Sequence, residues 1–244
     1  MTSKKLTIDL NHKTKENQKE LDEKQEKTHE LKSKVSRFHK TIKAENHKNR
    51  EELIKQLQPL FSKIDNDLVA NLTSSSLKTL INELKRCYKE LKLTSLDEIK
   101  NYTGNGSMAY SDGILYINHE QFNTIIENPK KFFEKNVTEL TKRKQIRHLA
   151  IDDPKNSKSY IFDHEFGHYI FLKYEKKQKN AKHKLIELKN QAQQNKDIEK
   201  ISQYAKFDEY EFFAETYAMS KNNPCDLPDY LLDYVKEVQD DSNI

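Results

Sequence analysis

Apolar residues are thinly spread at the start of this chain and gather into helical stripes after about residue 50. From residue 11 to about 50 nearly every position is Lys, Glu, Gln, Asn or His. The sparse apolar positions there include Leu31, Val35, Phe38 and Ile42, spaced four, three and four, which makes one narrow stripe on a helix. The stripe lasts barely two heptads, so residues 1–50 read as a charged arm, helical or partly disordered. Residues 28–45 are its candidate surface for a partner helix or for self-association.

The pattern changes from "NREELIKQLQPLF" onward. In "SSSLKTLINELKRCYKELKL", Leu77, Leu80, Ile81, Leu84 and Tyr88 repeat at helical spacing behind the N-cap candidates Ser74, Ser75 and Ser76, which predicts a core helix. Three of the four glycines then fall in "NYTGNGSMAYSDGILYINHE". Asn-Gly and Asp-Gly pairs there flank the β-prone run Ile114 to Ile117, as expected for a turn entering a strand. "QFNTIIENPKKFFEKNVTELTKRKQIRHLAI" is helical again, with a break near Pro129.

Nothing interrupts helical periodicity from Ser159 to Tyr174. The Lys- and Gln-rich segment 175–200 offers little to bury except Leu185, Ile186 and Leu188, and reads as a surface helix with flexible ends. "PDYLLDYVKEV" places Pro228 at a helical N1 position and Tyr230, Leu231, Tyr234 and Val235 on one side, a packed terminal helix. One strand among at least five helical patterns makes the class α+β, predominantly helical, with residues 51–244 as one domain.

Composition refines this picture in three places. Charged and apolar residues each make up 34% of the 244 positions and tryptophan is absent, so the core is economical. It is expected where the twelve tyrosines and eleven phenylalanines thicken, in the C-terminal two thirds. A net charge of +4 on interspersed lysines and glutamates is close to balance and argues against nucleic acid as a partner. Cys87 and Cys225 stand in no metal or redox spacing and read as buried free thiols. No apolar run approaches the roughly 20 residues of a membrane span. The N-terminus lacks the apolar stretch of a secretory signal, which leaves the compartment open.

The fourth glycine lies in "DHEFGHYI", residues 163–170. His164 and His168 are four apart, about 40° in azimuth on a helix, so both imidazoles can reach one metal ion. Ile161, Phe171 and Leu172 share their face. Glu165 sits at its margin, where a carboxylate can take a proton from a water that zinc has acidified to a pKa of about 7. A catalytic zinc of this kind wants a third protein ligand, and "EYEFFAETYAMS" offers Glu211 and Glu215, again four apart. An acidic pair on so apolar a helix is costly to bury without a compensating cation. Glu211 is assigned as the third ligand. Glu215 is assigned to accept the second N–H of a ligand histidine. Ala214 and Ala218 let this helix pack closely on the first.

"HEFGH" followed 43 residues later by "EFFAE" resembles the catalytic domain of anthrax lethal factor and its relatives, which include the secreted Pro-Pro endopeptidases. These are zinc metalloendopeptidases of the gluzincin type. The resemblance runs over about 160–235, extends more faintly over 77–150 and does not reach the arm. It implies a small sheet with a helical C-terminal subdomain, one zinc ion per chain on His164, His168 and Glu211, and Glu165 as general base. It also implies an oxyanion donor at Tyr204, seven residues before Glu211.

The reaction expected is hydrolysis of internal bonds in a protein or peptide. The run Gly113, Ile114, Leu115, Tyr116 is the candidate edge strand for holding an extended substrate. The competing reading is a catalytically silent, zinc-binding relative that acts as a protein-interaction module through the N-terminal helix. Glu165 beside both histidines speaks against it, because a binding-only protein gains nothing from a base there.

Overall fold

The computed structural model describes residues 47–104, 106–131 and 157–242, with Lys32 and Glu134 besides. The stripe expected at Leu31, Val35, Phe38 and Ile42 lies outside the described residues, as does most of the helical expectation beyond Pro129. The chain divides into two units, Met1–Glu52 and Leu53–Ile244, and the second holds every element that follows.

In chain order these are β1 (Phe61–Ile64), α1 (Asn66–Asn71), α2 (Ser74–Glu90), β2 (Leu96–Asn101), β3 (Met108–Ser111), β4 (Ile114–Ile117), α3 (His119–Glu127), α4 (Ser157–Lys177), α5 (Ala181–Gln194), α6 (Ile198–Ile201), α7 (Glu209–Asn222) and α8 (Asp229–Asp241). The class is α+β, mostly helical, with one small mixed sheet. Among the described residues no helix is long and apolar enough to cross a membrane.

The core helix α2 buries the predicted Leu77, Leu80, Ile81, Leu84 and Tyr88. Its N-cap is Thr73, ahead of the three serines: Thr73 Oγ1 accepts the Ser76 N–H at 3.2 Å, while Ser76 itself turns inward. Tyr88 joins this helix to the sheet. Its hydroxyl donates to the Leu60 carbonyl at 2.6 Å and accepts the Leu96 N–H at 3.1 Å. At the far end of the chain Leu231, Tyr234 and Val235 are buried, and Pro228 stands at the N-cap of α8, one position earlier than expected.

Four strands form the sheet, in the order β1-β2-β4-β3. β1, β2 and β4 pair in parallel and β3 pairs antiparallel to β4. Three of them escaped the sequence pattern for a physical reason. β2 buries Leu96 and Ile99 at a spacing of three among charged residues, which has the look of a helical stripe. β1 and β3 have only four residues each, too few to display a period. The Asp-Gly signal was sound: Asp112 (φ 50°) and Gly113 (φ 85°) make the two-residue turn with positive φ at both positions that joins β3 to β4.

One expectation is overturned here. The run 113–116 is no edge strand, because β4 is hydrogen-bonded on both sides, to β2 from Ile114 to Ile117 and to β3 along its whole length. Gly113 is spent in the turn, Leu115 lies in the core, Ile114 is half-buried, and Tyr116 packs edge-on against Tyr102. None has a free main-chain edge to offer a substrate. The edge that faces α4 is β3.

Two smaller expectations also change. Ile186 points outward from α5, while Ala181, Leu185 and Ala192 form its buried side. Cys87 is a buried free thiol as expected, but Cys225 is exposed, since it sits in a short turn between α7 and α8.

The tightest helix pair is α4 on α7, and its contact point is Gly167. A Cβ at Gly167 would stand 2.9 Å from Ala214 Cα and 3.3 Å from the Ala214 carbonyl oxygen and Tyr217 Cβ. Ala214 is fully buried at this contact, in keeping with its predicted role, and Ala218, one turn on, is fully buried as well. Backbone meets backbone there, so no side chain can swing aside to make room. Gly167→Ala is expected to destabilise the fold by about 1–3 kcal/mol in denaturant unfolding, the usual cost of overpacking. The same variant should also bind zinc more weakly, because the displaced helices carry the candidate ligands. An alanine tolerated without change in either measurement would show that this spacing is not constrained.

Candidate metal centre

Helix α4 is buried on all sides between residues 160 and 167. Its polar side chains are therefore held away from water and must find partners within the protein. Helix α7 lies across it. Asp208 caps α7 by accepting the Glu211 N–H at 2.8 Å, which places Glu211 in the first turn, facing the two histidines.

Glu211 Oε2 lies 3.1 Å from His164 Nε2 and 3.5 Å from His168 Nε2. The two imidazoles stand nearly perpendicular, with ring centroids 4.9 Å apart. One ligand atom from each of the three residues falls within 4.8 Å of the others. The buried Glu211 Oε2 makes no hydrogen bond of acceptable geometry, although two ring nitrogens are close to it. A carboxylate oxygen and two imidazole nitrogens converging in this way suit a divalent cation, and the N, N, O donor set suits zinc.

The electrostatics point the same way. Burial works against ionisation of Glu211, but His164 and His168 outweigh it and hold the carboxyl at about 2. Burial likewise opposes a charge on His164, yet Glu211 and Glu215 push its imidazole well above the ordinary histidine value. The site thus has a strong demand for positive charge, and a bound cation meets it while leaving the imidazoles neutral.

Glu215, fully buried, takes its predicted place behind His164. Its Oε1 lies 2.8 Å from His164 Nδ1, off the line of a straight hydrogen bond, and it accepts a short hydrogen bond from the Tyr160 hydroxyl. Tyr160 was not singled out in the sequence. The signal available was its position four residues before His164, on the same helix face.

Glu165 is buried, 6% exposed, on the side of α4 that meets β3. Burial raises its pKa, opposed by the two histidines and by the main-chain N–H of Tyr110 in β3. Tyr204 lies in the 3-10 turn Tyr204–Lys206 just before α7, with its ring centroid 5.8 Å from that of His164. Burial, then the carboxylates of Glu211, Glu165 and Glu215, push its phenol up to about 12, so it keeps its proton. The structure therefore brings together His164, His168, Glu211, Glu165, Glu215 and Tyr204. It leaves 113–116 apart from them in the sheet interior.

A buried acid also escaped the sequence reading although it opens the quoted motif. Asp163 accepts Arg86 Nη2 at 2.8 Å and Asn222 Nδ2 at 3.1 Å, which ties α2, α4 and α7 together one residue from the first histidine. Burial still pushes its carboxyl up to about 6 against these two donors.

Comparison with family models, with curated proteins and with solved structures yields no match to this chain. The reading of the site rests on its own geometry. Glu211→Ala is expected to lower zinc content sharply and Glu215→Ala to weaken zinc affinity about 10- to 100-fold, the usual effect of losing a carboxylate behind a ligand histidine. Glu165→Gln should keep the metal. Zinc per chain, measured by inductively coupled plasma mass spectrometry after dialysis, decides the matter: equal content in wild type and Glu211→Ala would remove Glu211 from the ligand set.

Proposed function

We propose that this protein is a zinc-dependent endopeptidase of the gluzincin type, similar to the catalytic domain of anthrax lethal factor, acting on internal bonds of a protein or peptide. The observation that carries the reading is the convergence of His164, His168 and Glu211 beside a buried Glu165 that faces the edge strand β3. A zinc ion, when held by these three residues, supplies Lewis-acid polarisation of a carbonyl and an acidified water.

The chain's own residues supply the rest. Glu165 takes up a proton at its carboxylate and returns it to the leaving amine, and its raised pKa brings it closer to the working pH than a solvated glutamate would be. Tyr204, protonated, donates from its hydroxyl to the oxyanion that develops at the scissile carbonyl. Among the described residues no strand pairs with the outer side of β3, so Met108–Ser111 can hold an extended substrate by main-chain hydrogen bonds. The Tyr110 N–H is turned towards Glu165, which sets that edge alongside the base. A carboxylate kept buried next to two histidines costs stability and serves no purpose in a protein that only binds, which disfavours the catalytically silent reading.

Mass spectrometry of a diverse peptide library, incubated with the zinc-loaded protein and in parallel with Glu165→Gln, tests the proposal. Internal cuts made by wild type alone are the expected result. An uncut library with zinc-replete wild type would refute endopeptidase activity on peptides. Tyr204→Phe should lower kcat by about 10²–10³ with zinc content unchanged. The sign of the pH dependence follows from the direction of the shift: burial and the neighbouring carboxylates favour the protonated phenol, so Tyr204 contributes no loss of rate as pH rises through neutrality. An alkaline limb near pH 8 that vanishes in Tyr204→Phe would contradict this.

A further inference from the structure

We propose that Phe207 forms the wall of a side-chain subsite at the mouth of the metal centre, which receives a large apolar residue of the peptide next to the bond that is cut. The proposal rests on the endopeptidase reading and names the class of substrate for it.

Among the described residues only two large apolar side chains stand exposed, Ile186 at 39% and Phe207 at 79%. Ile186 lies on the outer face of α5. Phe207 stands three residues after Tyr204 and four before Glu211. Its ring stacks on that of Tyr204, with centroids 6.3 Å apart and planes at 16°, and the Tyr204 ring is in turn 5.8 Å from that of His164. The exposed phenyl is thus a second layer built outward from the candidate metal site.

The backbone on both sides of it is pinned. Its own N–H donates to the Tyr204 carbonyl at 3.0 Å and closes the 3-10 turn. The next residue, Asp208, caps α7. Its neighbours Lys206, Asp208 and Glu209 are all charged, so the ring is not a displaced piece of core. Lys206 reaches back to Glu199 at 3.8 Å. An aromatic ring whose backbone is already ordered loses little entropy when a partner covers it, and such rings dominate binding surfaces. Its most accessible partner is an apolar side chain on a substrate whose carbonyl lies near Tyr204. An aromatic or branched aliphatic residue fills that role, and a charged one does not.

The test compares wild type, Phe207→Ser, Phe207→Tyr and the control Ile186→Ser, each zinc-loaded and as the full chain. Wild-type cuts in the library are expected to cluster at sites with a large apolar residue at one fixed position. For a peptide of that kind Phe207→Ser should lose roughly 10- to 100-fold in kcat/KM, carried by KM, and the positional preference should flatten. Phe207→Tyr should restore both, and Ile186→Ser should change neither. The same weakening should appear in calorimetric binding of the uncut peptide when Phe207→Ser is placed on the Glu165→Gln background. Identical cleavage profiles and KM for wild type and Phe207→Ser would overturn the subsite and leave the endopeptidase standing. A zinc-replete wild type that cuts nothing overturns both.

Discussion

Two helix backbones meet at one glycine, and the candidate site exists because they do. Gly167 lies between the two histidines of α4, against Ala214, which stands between the two glutamates of α7. Both residues lack any side chain that would hold the axes apart, so the imidazoles and the Glu211 carboxylate fall within a few ångströms of one another. With a four-residue spacing on each helix, a single crossing point brings two side chains from each side to the same place. The contact is apolar and tight, yet what it assembles is polar.

That polarity has to be compensated inside a core that is otherwise aliphatic and aromatic. His164, Glu165 and Glu215 are all buried, and Asp163 adds another carboxylate on the opposite side of the same helix turn. Arg86 and Asn222 answer Asp163. Tyr160 answers Glu215, and the histidines answer Glu211. Arg86 also holds Glu83 and Glu90 on its own helix, which makes α2 a charged brace behind the site. Buried groups of this kind add little net stability and a good deal of geometric definition, since each must sit where its partner is.

The sheet contributes orientation. β4 is flanked by the parallel β2 and the antiparallel β3, and β3 closes the order against α4. Glu165 lies towards that strand, and Tyr204 and Phe207 belong to the turn that precedes α7.

Much of the site was legible in the chain itself, because its information is local. A helix places residues four apart on one face whatever surrounds it, so His164 with His168 and Glu211 with Glu215 followed from spacing alone, and the Asp-Gly turn followed from the φ angles it needs. Tyr204 was legible only through a family resemblance, and nothing local distinguishes it from other aromatic residues. What the sequence could not express was which elements become neighbours. β4 looked like an edge because it was the most β-like run. Strand order depends instead on crossovers that pair Leu96 to Asn101, a stretch with a helix-like stripe, beside it. Asp163, Tyr160 and Phe207 likewise acquire meaning from partners or exposure that no periodicity encodes. Local spacing determined which side chains could act together; long-range packing decided which of them meet and which strand is enclosed by its neighbours.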